Sequence, residues 1–315
     1  MLDYASLAAL AAVVREGSFE RAARAQHVTP SAISQRIRLL EERVGCALVV
    51  RGQPCQATDA GRRLCQHVDR VRLLEHELQA GLPALDPQGQ ARLRLPVAVN
   101  ADSLATWFAP AVAAFAADAP VLLDVAVDDE VHTAEWLRGG AVLAAVTASA
   151  RPATGCNSRP LGAMRYIAAA SPGFVRQHFA QGVDAAALAR APSLVFSNKD
   201  ELQTRWVRRL CGRHVELPRH TLPSSQAFVV AAVAGMGWGL HPQSLIADQL
   251  QQGTLVPLVP EVWSETVPGT QPRTQSQAAL DVPLYWQHAR ATSALLDGLS
   301  QAVLAAARAT LVQVF

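Results

Sequence analysis

RAARAQHVTPSAISQRIRLLEERVG, residues 21–45, decides how the rest of the chain is read. In its second half Ile33, Ile37 and Leu40 recur at i, i+4 and i+7, so a helix here carries one apolar stripe. Ser31, Gln35 and Arg38 share that spacing on the opposite face, with Ser34 beside them. Thr29 suits an N-cap, and Pro30 then occupies the first helical position, where a missing N–H costs nothing. Upstream, Ser18 caps a short helix, FERAARAQ. Before it, Tyr4, Leu7, Leu10, Ala11 and Val14 form a helical stripe that stops at Gly17. Helix, short helix, tight turn, amphipathic helix is the order of a helix-turn-helix. The polar face of the last helix offers hydroxyls, an amide and a guanidinium, the groups that read base edges and phosphates. A solvated face with no partner is the competing reading.

The flanking sequence extends the module. CALVVRGQPCQAT, residues 46–58, is a short β-rich run with Gly-Gln-Pro at its tip, which predicts a two-stranded wing. Arg51 there suits a phosphate or the minor groove. Candidate DNA contacts are Ser18, Thr29, Ser31, Ser34, Gln35, Arg36, Arg38 and Arg51. Thr58 and Asp59 open a long helix in which Leu64, Val71 and Leu78 recur every seven residues. Ala60, His67 and Leu74 fill a second seam position. The pattern predicts a dimer seam of Leu64, Val71, Leu74 and Leu78, with packing on its own domain as the alternative. GLPALDPQGQ, residues 81–90, reads as a hinge.

Bulk properties set limits. Half of the 315 residues are hydrophobic, enough for real cores. No apolar run is long enough to span a bilayer, and the N-terminus lacks a basic-then-apolar secretion signal, so a cytoplasmic protein without membrane contact is expected. The five cysteines include no CxxC pair, which fits free thiols in a reducing compartment and predicts no metal site. Net charge is +2, and residues 1–82, with 11 Arg against 9 acids, hold that whole excess. The imbalance is small, because a DNA-binding face needs local clustering rather than a large total.

From residue 93 the pattern changes. Short apolar runs (LRLPVAVN, VLLDVAVD, VLAAVTA, then MRYIAAA, PSLVFS and GWGLHP) alternate with helical stretches. That predicts two α/β units with parallel sheets, and a ligand cleft between them at strand ends and helix N-termini. No GxSxG elbow, phosphate-binding glycine loop or HExxH stands in the chain, so no enzyme and no cofactor is expected.

Residues 1–82 resemble the winged helix-turn-helix and linker helix of LysR-type transcriptional regulators, through SFERAA, VTPSAISQRIRLLEERVGCALVVR and ATDAG. VNADSLATWFAPAV, VDDE and the late LYW are similar to the lysine- and arginine-responsive ArgP/LysG branch. The resemblance implies an all-α winged helix-turn-helix (1–58), a linker helix and hinge (59–89) and an α/β two-lobed effector domain like periplasmic binding proteins (90–315). Lobe I is expected at about 90–163 and 284–315, lobe II at about 164–283. It implies as partners an operator in double-stranded DNA, RNA polymerase, a small effector (lysine or arginine) and further copies of the chain. These form a dimer through the linker helix and a tetramer through the lobes. Control of basic-amino-acid export or metabolism is the expected role. A LysR-type regulator with another effector, and a DNA binder without sequence preference, are the alternatives. The Pro/Gln/Thr-rich stretch 261–282 departs from the family and reads as a disordered surface loop.

Effector candidates follow from where strands end and helices begin. Asn100, Asp102 and Ser103 lie at such a turn, with Ser103 expected as the N-cap leaving free N–H groups for a carboxylate. A cationic effector needs an acid, and Asp102, Asp128, Asp129 and Glu130 are available. Trp107 offers a cation–π face or a core side chain. Thr147 is expected as a cleft-facing hydroxyl, and Ser197, Asp200 and Ser225 mark the equivalent positions in lobe II. Asp124 is either buried or cleft-facing.

Overall fold

The computed structural model describes residues 3–82, 93–119, 121–128, 136–138, 141–259, 278–290 and 293–314. The N-terminal module is α1 (Tyr4–Glu16), α2 (Phe19–Ala25), α3 (Pro30–Val44) and a wing of β1 (Val49–Val50) and β2 (Gln56–Ala57). Its caps are the expected ones. Ser18 Oγ accepts from the Arg21 N–H, and Thr29 Oγ1 from the Ala32 N–H. Each such cap is worth about 1 kcal/mol. Gly17 turns the chain with φ +62°, and a Cβ there would meet Pro54 of the wing at 2.8 Å. The stripe Ile33, Ile37 and Leu40 is buried against α1 residues Leu7, Leu10 and Val13.

α4 (Asp59–Gly81) opens at Thr58, whose Oγ1 accepts from the Gly61 N–H. Its faces have different fates. Val68 enters the N-terminal core, whereas Leu73 is fully buried in the core of the second module. Glu77 Oε1 accepts from the Ala294 N–H at 2.7 Å. Leu64 of the expected seam packs partly on its own N-terminal core. Leu74 and Leu78 stay 54% and 55% exposed.

The second module is two-lobed. Lobe I has β3 (Leu93–Asn100), a helical run made of α5 (Ala101–Ser103), a π-turn (Leu104–Phe108) and α6 (Ala109–Asp118), then β4 (Val121–Asp128) and β5 (Ala144–Thr147). β3 pairs in parallel with β4 and β5. β6 (Cys156–Ala170) then leaves lobe I and runs on into lobe II. Lobe II holds α7 (Pro172–His178), α8 (Ala185–Leu188), β7 (Ser193–Val195), α9 (Leu202–Cys211), β8 (Arg219–Thr221), α10 (Ser225–Val233), β9 (Gly239–Pro242), α11 (Ala247–Gln251) and β10 (Val256–Pro257). β11 (Ala279–Ala289) returns along β6, and α12 (Ala294–Thr310) closes lobe I.

Two expectations are corrected here. The sheet is mixed rather than parallel: β6 and β11 are antiparallel to each other, and β11 is antiparallel to β5. These two long strands join the lobes, so the chain crosses between them twice without a helix. The end of the 261–282 stretch is also strand, since β11 begins at Ala279. Residues 261–277 of that stretch lie outside the described residues.

Candidate functional site

On the N-terminal module Ser31, Gln35 and Arg38 are exposed on one face of α3, opposite the buried stripe, with Ser34 and Arg36 half-buried beside them. Arg38 pairs with Glu42 at 2.9 Å, one turn on, a solvated pair of little energetic weight. Thr29 and Ser31 share a hydroxyl–hydroxyl bond of 2.9 Å. Ser18 donates to Glu20 at 2.7 Å while capping α2. Arg51 is exposed at the start of the loop that joins β1 to β2. Its guanidinium lies 5.4 Å from the Phe19 ring centroid, held by cation–π attraction.

The cleft of the second module centres on Asp102. The chain leaves β3 at Asn100, which is the N-cap, so the helix begins three residues earlier than a Ser103 cap requires. Ser103 therefore sits inside the first turn, fully buried, and its hydroxyl has no partner among the described residues. Asn100 is also buried, with its Oδ1 unpartnered. Asp102, between them, reaches across to lobe II. Tyr166 Oη donates to Asp102 Oδ2 at 2.9 Å, and Ser225 Oγ donates to Oδ1 at 2.6 Å. Tyr166 lies where β6 pairs with β9, and Ser225 is the first residue of α10. Both are lobe II groups.

The other candidates divide. Asp128 ends β4 in register beside Asn100, which puts its backbone at the same turn. Asp129 and Glu130 lie outside the described residues. Trp107 is a core side chain, T-shaped against Phe108 with ring centroids 5.7 Å apart. Thr147 is fully buried, and its hydroxyl serves its own loop: it donates to the Ser149 carbonyl and accepts from the Ser149 N–H, both at 3.2 Å. Gln287 holds that loop, donating to the Ser149 and Arg151 carbonyls and accepting from the Ala153 N–H. In lobe II, Asp200 accepts from the Phe196 and Leu202 N–H groups, and Ser197 Oγ from the Lys199 N–H. Those two shape the loop ahead of α9. Asp124 is exposed, facing the space between lobe I and α4.

Tyr166, Gln203 and His241 are among the buried polar residues that the sequence reading did not assign to the site. Tyr166 alternates with apolar residues in its strand, a pattern indistinguishable from a core aromatic. Gln203, in the first turn of α9, is 1% exposed with neither amide atom partnered. His241, at the end of β9, is buried beside Phe228 at 5.1 Å, and burial pushes its pKa down to about 3. Unpartnered buried polar atoms are costly, so such groups are places that a ligand or water can complete. Among the described residues no group of three or more His, Cys, Asp or Glu is placed to hold a metal. No helix among them is long and apolar enough to cross a membrane.

Comparison with known proteins decides the family. Residues 4–62 match the bacterial regulatory helix-turn-helix protein, lysR family, and residues 88–308 match the LysR substrate binding domain. The chain belongs to the LysR family. This LysR-type transcriptional regulator is 46% identical to ArgP of Pseudomonas aeruginosa over 314 residues, covering 100% of this chain and 99% of the relative. It is 43% identical to LysG of Mycobacterium tuberculosis over 306 residues, covering 97% and 94%. The crystal structure of ArgP from M. tuberculosis superposes with a TM-score of 0.79 at 42% identity, covering 99% of this chain and 100% of that one. Full-length LysG from Corynebacterium glutamicum with bound effector Arg gives a TM-score of 0.70 at 35% identity, covering 99% and 100%. The regulator is thus of the ArgP/LysG type, as the VNADSLATW stretch led us to expect.

Proposed function

We propose that this regulator binds operator DNA through α3 and the wing, and that lysine or arginine, bound between the lobes, sets its activity. Asp102 carries the reading. It is a carboxylate placed between lobes, on a turn whose neighbouring Asn100 and Ser103 are buried and unpartnered. The α-ammonium of a free amino acid suits Asp102. Its carboxylate suits the N–H groups of the first turn after Asn100, where the helix dipole favours an anion. The distal cation suits the acids at the end of β4, Asp128 or Asp129. That LysG of C. glutamicum was solved with arginine bound supports the ligand class.

Assembly follows from α4. The exposed Leu74 and Leu78, with the half-buried Val71, form the face that a second chain covers, and lobe contacts then build a tetramer. Control of basic-amino-acid export or metabolism, with RNA polymerase as partner, is the role this chemistry fits. The test is titration calorimetry of the full-length protein with lysine, arginine and norleucine, which lacks the distal cation. Saturable binding of lysine or arginine but not norleucine is expected. Failure of both at millimolar concentration sinks the effector assignment. Footprinting on the chain's own upstream region, with and without the two amino acids, tests the DNA half independently.

A further inference from the structure

We infer that the Ser225–Asp102 hydrogen bond is an interlobe latch, which the effector breaks when it binds. This rests on Asp102 being the partner of the effector's ammonium. The bond joins residues 123 positions apart, one on each lobe, and at 2.6 Å it has the length of a charge-assisted O–H···O⁻ contact. Ser225 does nothing for its own helix. Ser224 is the N-cap of α10, accepting from the Ala227 N–H. The Ser225 hydroxyl is therefore spent on the other lobe.

The two hydroxyls on Asp102 are not equivalent. Tyr166 sits inside a 15-residue strand paired on both sides, is 1% exposed, and has no freedom to retreat. Ser225 is at the tip of a nine-residue helix and moves with it. Both Asp102 oxygens already accept a hydroxyl, so an ammonium with its three donors comes to the oxygen that Ser225 occupies. The groups beside Asp102 favour the exchange. Asn100 Oδ1 and the Ser103 hydroxyl, on either side of Asp102, are buried without partners among the described residues, and a bound amino acid supplies them. Without effector, Asp102 thus accepts two interlobe bonds, beside two buried polar groups that lack partners among the described residues. Bound effector takes the place of Ser225 on Asp102, leaves the Tyr166 bond intact and frees the end of α10. Tyr166 keeps Oδ2 and holds the carboxylate in place through both states, which makes it a positioning residue.

The sign of one substitution separates a latch from an ordinary ligand contact. If the bond must break first, the apparent affinity of the wild-type chain is reduced by the fraction of molecules still latched. Removing a hydrogen bond to a charged group should therefore tighten binding of lysine or arginine about tenfold in Ser225→Ala, read by calorimetry on the full chain. Unchanged or weaker binding overturns the latch and makes Ser225 a bystander or a direct contact. A second readout needs no effector. Amide exchange in ligand-free Ser225→Ala should quicken in residues 101–108 of lobe I as well as at the start of α10. Faster exchange confined to α10 would be a local helix-end effect and would also overturn the proposal. If the wild-type chain binds neither amino acid, the effector assignment fails, while the exchange measurement still decides whether the bond ties the lobes.

Discussion

Replacing Asp102 by alanine removes the acceptor of two hydroxyls and the proposed partner of a ligand cation. The structural cost comes from Tyr166, whose hydroxyl is buried and loses its acceptor. An unsatisfied buried donor costs about 1–3 kcal/mol, partly offset because a carboxylate no longer has to be desolvated. A net loss of about 2 kcal/mol would lower the melting midpoint of a domain this size by about 4–8 °C. The ligand cost is larger. Losing the charge partner of a desolvated cation costs about 2–5 kcal/mol, or roughly 30-fold to several thousandfold in affinity. Asp102→Asn keeps one acceptor oxygen, so it should recover much of the stability and none of the affinity. Calorimetry with arginine, melting curves and anisotropy with labelled operator DNA separate the three effects. Operator binding without effector should survive, because α3 belongs to the other module. An Asp102→Ala protein that binds arginine within about threefold of wild type would refute the reasoning.

Other expectations follow from the same geometry. Gln35→Ala should weaken operator binding by about 1–3 kcal/mol and relax sequence preference, whereas Arg51→Ala should weaken all DNA alike and flatten the salt dependence; equal losses on operator and random DNA for Gln35→Ala would remove its base-reading role. Val71→Asp with Leu78→Asp should break the dimer in sedimentation and abolish the footprint, since the new charges would face their symmetry mates; a double variant that still sediments as wild type contradicts the seam. His241 has a folded pKa near 3, below its ordinary value of 6.5, because burial disfavours the charged ring. The unfolded chain therefore takes up this proton first as pH falls. The His241 contribution is full above about pH 6.5 and declines by roughly 1.4 kcal/mol per unit down to about pH 3. His241→Leu should lessen the fall in melting temperature between pH 7 and pH 5, and an unchanged fall would show that other groups drive it.

The N-terminal module was legible because its signals are local. Thr29 and Pro30 start α3, Gly45 ends it, and Ile33, Ile37 and Leu40 turn one face inward, all within a few turns of helix. The same reasoning placed Asn100, Asp102 and Ser103 at a strand-to-helix turn, though the cap proved to be Asn100. It failed for β6 and β11. An apolar strand reads alike whether its neighbours are parallel or antiparallel, so the crossing between lobes left no mark on periodicity. Thr147 failed for a related reason: a hydroxyl at a strand end looks the same whether it faces a cleft or closes its own loop.

What the sequence by itself determined is the set of elements, the module order and the face that α3 offers, because i to i+4 spacing and end-capping act between residues close in the chain. Only the tertiary structure decided which polar groups meet. Asp102 finds Tyr166 across 64 positions and Ser225 across 123. Nothing in the local pattern around any of the three residues specifies the other two. Their meeting is set by how two lobes, joined by a pair of long strands, bring a helix start from each side to one carboxylate.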